Sequence, residues 1–296
     1  MVGFDVDLGE LSARVSAAVG RACRLTPLQV KCTYPVFRGE ADGASPVFVK
    51  VGTKEEWTRT RGLLRAIGDC GFFSRLVVEE PIDCRGHAVF VMEWKESRIV
   101  FPEDMNARQV GSFVAGCVKL GAALGRTVAE DRLSPEELYG DILQYVSGHP
   151  VSGRLLRGLV AIPEAERTYG ARPRAVCHGD FHAKNFGFAG DELAAVYDFD
   201  KLTEGLKCSD LVNALMERFS CLGLSRAARG RLGDVTRRIA AAVPWPREEL
   251  VIAGNVVRLQ FAARRIRKHP DSAWVALDVW RRDRALCEFL RCLPEK

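Results

Sequence analysis

The sequence predicts an α+β chain of two lobes, a small β-rich N-terminal lobe and a larger, mostly helical C-terminal lobe. Three observations predict it. Short apolar runs rich in β-branched and aromatic residues, such as Val47-Phe48-Val49-Lys50-Val51 and His87-Ala88-Val89-Phe90-Val91-Met92, fill the first hundred residues. The apolar period changes to a helical one after Pro102. A strand-like stretch near 174–200 interrupts that pattern, and from Ser209 onward the chain reads as helix again. The division expected is 1–95 for the first lobe and 96–296 for the second, with a hinge near Glu93 to Phe101.

The elements follow in order. Leu11, Val15 and Val19 recur at helical spacing and Gly20 closes that helix. The run Gly39 to Pro46 is turn-forming and precedes the strand at 47–51. Residues 54–67 form a helix whose apolar side is Trp57, Leu63, Leu64 and Ile67, and Val77-Val78 reads as a short strand. Between 104 and 126 one helical face carries Val110, Phe113, Val114, Cys117, Leu120 and Leu124. A further helix starts at Ser134-Pro135-Glu136-Glu137, where a capping hydroxyl, a proline at the first position and acids in the first turn agree. Turns fall at Gly223, at Pro244-Trp245-Pro246 and at His269-Pro270.

Composition excludes several classes. The 296 residues carry a formal charge of +5, a modest excess that does not call for nucleic acid. No apolar stretch approaches the roughly 20 residues of a membrane helix. The first residues, Met1 to Asp7, carry acids where an export signal carries Lys or Arg, so a cytoplasmic protein is expected. The ten cysteines include no Cys-x-x-Cys and sit among apolar neighbours, as buried thiols in a reducing compartment do.

The chemistry lies in His178-Gly179-Asp180-Phe181-His182-Ala183-Lys184-Asn185, followed by Asp198-Phe199-Asp200. Phosphoryl transfer asks little covalent work of a protein. It needs a carboxylate to orient the attacking hydroxyl and hard oxygen ligands for the metal ions on the phosphates. Asp180 and Asn185, on one loop, suit those two tasks. The stretch Asn185 to Leu193 reads as strand, turn, strand, which sets Asp198 beside Asn185.

With these residues in this order the chain resembles the aminoglycoside phosphotransferase and choline kinase family, protein-kinase-like small-molecule kinases. The resemblance implies a protein-kinase-like fold and transfer of phosphate from ATP, with Mg2+, to a hydroxyl of a small molecule. In it Asp180 matches the catalytic base, and Asn185 and Asp198 match the metal ligands. Lys50 matches the strand lysine on the α- and β-phosphates. Its helix partner is Glu55 or Glu56, with Glu56 favoured; the family's glutamate sits further along, where this chain has Thr60. Met92, Glu93 and Lys95 fall where backbone groups of a hinge read the base. The run Gln29 to Val36, expected over the phosphates, contains no glycine. His178 is expected to pack beneath the loop and Asp210 to cap a helix and brace the loop. His182, Lys184 and Asp200 each divide between ligand contact and local support. A protein kinase fits less well, since His182 stands where those enzymes have Lys and no Asp-Phe-Gly follows.

Charge gives one indication of the acceptor. Residues 211–296 hold 17 Lys and Arg against 9 Asp and Glu, a net of +8, while the first 210 total −3. The pairs Arg264-Arg265 and Arg281-Arg282 are read as a solvated face. The balance favours a sugar, sugar acid or amino alcohol over an aminoglycoside. A kinase-shaped binding or regulatory protein is the alternative class.

Overall fold

The computed structural model describes residues 7–28, 34–67, 71–125, 135–149, 156, 175–199, 202–219 and 225–292. Two compact units divide the chain, Met1–Glu96 and Ser97–Lys296.

The first unit is a helix-backed antiparallel sheet. Helix α1 (Leu8–Val19) is capped by Asp7, whose carboxylate accepts the Gly9 and Glu10 amides, and it ends at Gly20 with φ 74°. Strands β1 (Arg24–Pro27), β2 (Val36–Glu40), β3 (Val47–Gly52), β4 (Ile82–Cys84) and β5 (His87–Glu93) form one sheet in the order β1-β2-β3-β5-β4. Alternation along β3 sends Val49 and Val51 to the face covered by Leu11 and Val15 of α1. Lys50, paired in register with Phe90, therefore takes the opposite face, where Phe90 meets Trp57 of α2 (Lys54–Ile67).

Two expectations change here. Val77-Val78 is not a strand: both amides reach the Val91 carbonyl, at 2.8 and 3.4 Å, and beside them Leu76 makes a single isolated bridge with Met92, so no ladder forms. The turn before β3 starts at Ala41, because Gly39 belongs to β2. A Cβ on Gly39 would lie 2.7 Å from Val47 Cγ2 and 2.8 Å from Cys23 Sγ, so this strand position admits only glycine without repacking.

The second unit opens with a 3₁₀ turn, Pro102–Asp104, and α3 (Ala107–Leu124). The helix expected from 104 starts later because Asn106 and Gln109 form a capping box. Helix α4 (Pro135–Gly148) begins at the proline read from the sequence; Ser134 and Gly223 lie outside the described residues. Strand β6 (Ala175–Cys177) pairs with β9 (Thr203–Gly205), and β7 (Phe186–Ala189) forms a hairpin with β8 (Glu192–Val196). Helices α5 (Ser209–Phe219), α6 (Arg226–Ala242), α7 (Arg247–Lys268) and α8 (Trp274–Cys292) complete the unit. No helix among the described residues is long and apolar enough to cross a membrane.

Several basic residues of this unit hold helices together. Arg218 of α5 grips the buried Glu103 through two Nε contacts of 2.7 and 2.8 Å and lies over the Phe101 ring. Arg265 pairs with Asp278 at 3.2 Å and Arg267 with Asp141 at 2.6 Å. Within the expected solvated basic face, Arg265 and Arg267 are instead engaged in interhelical ion pairs, while Lys268 and Arg281 are exposed.

Candidate active site

The loop 178–185 joins β6 to β7 and is held from three sides. Below it, Phe181 has no exposed surface and packs between Phe113 and Phe186, at ring separations of 6.1 and 5.0 Å. Phe181 in the core obliges its neighbour Asp180 to stand at the loop's surface, where it is partly exposed.

From the side, Asp210 at the start of α5 accepts the amides of His178 and Gly179 at 2.9 and 3.2 Å. Its carboxylate braces the loop, and the capping role expected for it goes unfilled because both oxygens face the loop. Burial pushes this carboxyl up, against the lowering effect of His178 and the two amides. Gly179 has φ 75°, a conformation open to glycine and strained for other residues.

His178 forms the third tie. Fully buried, its Nε2 lies 2.7 Å from the Tyr197 carbonyl, and burial holds its pKa below the ordinary value. A neutral ring donating from Nε2 satisfies that carbonyl. His178 thus links the loop to the segment that carries Asp198.

Asn185 and Asp198 come together through the backbone. The Asn185 side-chain nitrogen donates to the Asp180 carbonyl at 2.9 Å, and the Tyr197 amide donates to the Asn185 carbonyl at 2.8 Å. That first bond leaves the Asn185 side-chain oxygen as the atom open to a cation. Asp198 is exposed and has φ 61°, a left-handed conformation in a non-glycine residue. Nothing in the sequence pattern marks Tyr197. Its hydroxyl lies 2.6 Å from Ser97 Oγ, so amide, carbonyl and hydroxyl are all engaged. Asp200 lies outside the described residues. His182 accepts the Lys184 amide on Nδ1 at 3.3 Å, and Lys184 is exposed.

An open groove of about 430 Å³, counting space open to solvent, adjoins Asp180. Asn213 and Glu217 of α5 line it, with Gln260, Phe261 and Arg264 of α7. Arg264 Nη1 donates to the Gly179 carbonyl at 3.0 Å. Of these residues the sequence brings out Arg264 alone, and as part of a solvated face. Spacing of four on each helix (213 and 217, 260 and 264) is the signal that places them on facing sides.

In the N-terminal unit Lys50 forms an ion pair with Glu56. Glu56 is buried, and Gly52 makes room for it, since a Cβ there would lie 2.6 Å from Glu56 Oε2. Glu55 points elsewhere: it is exposed, and its pKa is lowered by its own amide and by Thr53. The Lys50 ammonium lies 5.4 Å from the centroid of the Tyr34 ring. Residues 29–33 of the glycine-poor run lie outside the described residues. Met92 and Glu93 close β5, and the Glu93 amide donates to the Arg75 carbonyl at 2.8 Å. Arg75, with Lys95, holds the Glu93 carboxyl below the usual range. Trp94 and Lys95 follow the last residue of the strand.

A lysine–glutamate pair on an antiparallel sheet, and a helical unit presenting Asp180, Asn185 and Asp198 on adjoining loops, define a protein-kinase-like phosphotransferase fold. Over residues 37–241 the sequence matches the family described as APH, the phosphotransferase enzyme family, and the chain belongs to that family. It is a phosphotransferase. No curated protein matches the sequence. Among solved structures it is similar to an amicoumacin kinase in complex with AMP-PNP, Ca2+ and Ami, at 13% identity and TM-score 0.56 over 97% of this chain and 96% of that one. A spectinomycin phosphotransferase with ADP and spectinomycin is 11% identical, TM-score 0.61, over 97% and 98%. A Thermobifida fusca protein provisionally designated a fructosamine-3-kinase is 17% identical, TM-score 0.59, over 95% and 100%.

Proposed function

We propose that the chain transfers the γ-phosphate of ATP to a hydroxyl of a small polar molecule. The single observation behind this reading is the bonding that joins Asp180, Asn185 and Asp198. Asn185 is tied to the Asp180 carbonyl and Tyr197 to the Asn185 carbonyl, with a groove opening on Asp180.

Asp180 accepts or orients the acceptor's hydroxyl proton. Asn185 Oδ1 and the Asp198 carboxylate are the donors that would hold Mg2+, which supplies charge neutralisation on the phosphates when bound. The donor set suits that ion. An amide oxygen and a carboxylate are hard donors, and Mg2+ typically uses one or two carboxylates plus phosphate oxygens. Lys50, oriented by Glu56, contacts the α- and β-phosphates. Met92, Glu93 and Lys95 bound the segment that meets the adenine. The Glu93 amide is already engaged by Arg75, so Trp94 and Lys95 offer the backbone donors. Glu217, Asn213, Gln260 and Arg264 bind the acceptor, a sugar, sugar acid or amino alcohol, in a protein expected to be cytoplasmic.

Two of the three structural relatives named above, the amicoumacin kinase and the spectinomycin phosphotransferase, favour a second reading, an antibiotic acceptor. The test is ADP release with ATP and Mg2+ against sugars, sugar acids, amino alcohols and aminoglycosides. Turnover with a non-antibiotic acceptor supports the first reading, and turnover with aminoglycosides alone overturns it. A purified protein that neither binds ATP with Mg2+ nor hydrolyses it slowly would return the chain to the class of kinase-shaped binding proteins.

A further inference from the structure

Beyond its first residue, Arg247, helix α7 carries Arg258, Arg264, Arg265 and Arg267, and three of these four have an aspartate from another helix as partner. Arg258 pairs with Asp283 and Arg265 with Asp278 of α8, while Arg267 pairs with Asp141 of α4. Arg264 differs. Among the described residues no carboxylate lies within ion-pair distance of it, and its one hydrogen-bond partner is the neutral carbonyl of Gly179. It is also the arginine of this set that lines the groove beside Asp180.

A guanidinium has five N–H donors in a fork suited to a planar or tetrahedral anion. One is used on Gly179, which leaves a partly buried cation short of acceptors. Asp210 and Glu217 line the same groove, but neither carboxylate is within ion-pair distance of Arg264, and Asp210 is engaged by the amides of His178 and Gly179. Resting on the kinase reading above, we infer that Arg264 binds an anionic group of the acceptor, and that the acceptor is a hydroxy acid of the sugar-acid kind. Because Arg264 is bonded to the residue before Asp180, its anion lies only a few bonds from the hydroxyl that is phosphorylated. Asn213 and Gln260 face the remaining hydroxyls, and Val257 with Phe261 supplies an apolar wall. A polycation would put like charge against Arg264 near the reacting hydroxyl. The phosphoryl group in transfer is the other anion that this fork could meet, and the two differ in what they do to kinetics.

The experiment measures ADP release with saturating ATP and Mg2+ for pairs differing in a carboxylate: glucose and glucuronate, galactose and galacturonate, glycerol and glycerate. At least one acid should exceed its neutral partner by about tenfold or more in kcat/KM. Arg264→Gln should lower that acid-to-neutral ratio by roughly 10- to 100-fold, chiefly through KM. Arg264→Lys keeps a donor for Gly179 and should fall between; it also decides the question if the Gln variant does not fold. The inference is overturned if no acid outruns its neutral partner, or if the ratio survives both substitutions. It is equally overturned if both variants lower kcat alike for acids, neutral compounds and acceptor-free ATP hydrolysis, which would assign Arg264 to the phosphoryl group. Failure of the kinase reading looks different: no calorimetric binding of ATP with Mg2+ and no ADP release under any condition.

Discussion

Each unit holds in place a charged group to which the proposed function gives a role, and the two do so by opposite means. In the N-terminal unit one side chain positions another: Glu56 pairs with Lys50 across six residues, strand to helix. In the C-terminal unit the backbone is positioned instead. Asp210 binds two amides 31 and 32 residues away, and His178 binds a carbonyl 19 residues away. Loosening a side-chain pair leaves the main-chain hydrogen bonds intact, and a neutral isostere that keeps the contact acts chiefly on the charge that the pair orients. A carboxylate buried against main-chain donors is part of the fold itself, since removing it strands those donors.

The sharpest way to separate the two is to change the group each arrangement serves. Asp180→Asn should lower kcat by about 10²- to 10⁴-fold in steady-state ADP release, with nucleotide affinity by calorimetry little changed. Its thermal midpoint should stay near wild type, because the loop is held by its neighbours. The supports should then divide. Asp210→Asn turns an amide group against an amide donor and should cost about 1–3 kcal/mol in denaturant unfolding, with kcat falling alongside. Glu56→Gln keeps a neutral contact with Lys50 and should weaken nucleotide binding by about tenfold at little cost in stability. A Glu56→Gln protein as destabilised as Asp210→Asn would erase the distinction.

Acid sharpens it further. The pKa of His178 lies below its ordinary 6.5 because burial penalises the charged ring. The unfolded chain therefore binds the proton first as pH drops. Stability from the neutral ring is present above about pH 6.5 and is lost below it, with a slope of up to about 1.4 kcal/mol per pH unit until the folded form also titrates. Melting curves from pH 8 to 5 should show this loss in the wild type and a shallower one in His178→Gln.

The same contrast explains what is legible in the sequence and what is not. Helix α2 can be read to its ends, Lys54 and Ile67, because amphipathic spacing is local. So can the order Asp180, Asn185, Asp198, since one hairpin brings its ends together. The choice between Glu55 and Glu56 needs the strand face of Lys50, which register with Phe90 decides. Strand β9 is three residues long and exists because β6 pairs with it, which no window of sequence contains. Val77-Val78 has strand composition without a ladder. Arg264 resembles its neighbours in sequence because its surroundings come from α7 packing beside a loop 85 residues earlier.

Tyr197 offers the smallest and most discriminating effect. It combines both means, with amide and carbonyl in the backbone network and a hydroxyl paired with Ser97 at 2.6 Å. The hydroxyl is the only one of the three that a substitution can remove. Tyr197→Phe should therefore cost about 1 kcal/mol or less in denaturant unfolding, the worth of one neutral hydrogen bond. Asp198, the next residue, holds a left-handed conformation that its surroundings must maintain. If the Ser97 contact is part of that maintenance, Tyr197→Phe should raise the Mg2+ concentration needed for half-maximal ADP release, and weaken Mn2+ binding followed by electron paramagnetic resonance, each by a few-fold. Ser97→Ala should do the same, and the double variant should add nothing further, since both remove one contact. Additive losses would mean that the two hydroxyls act separately and that Asp198 is held by the backbone ties alone.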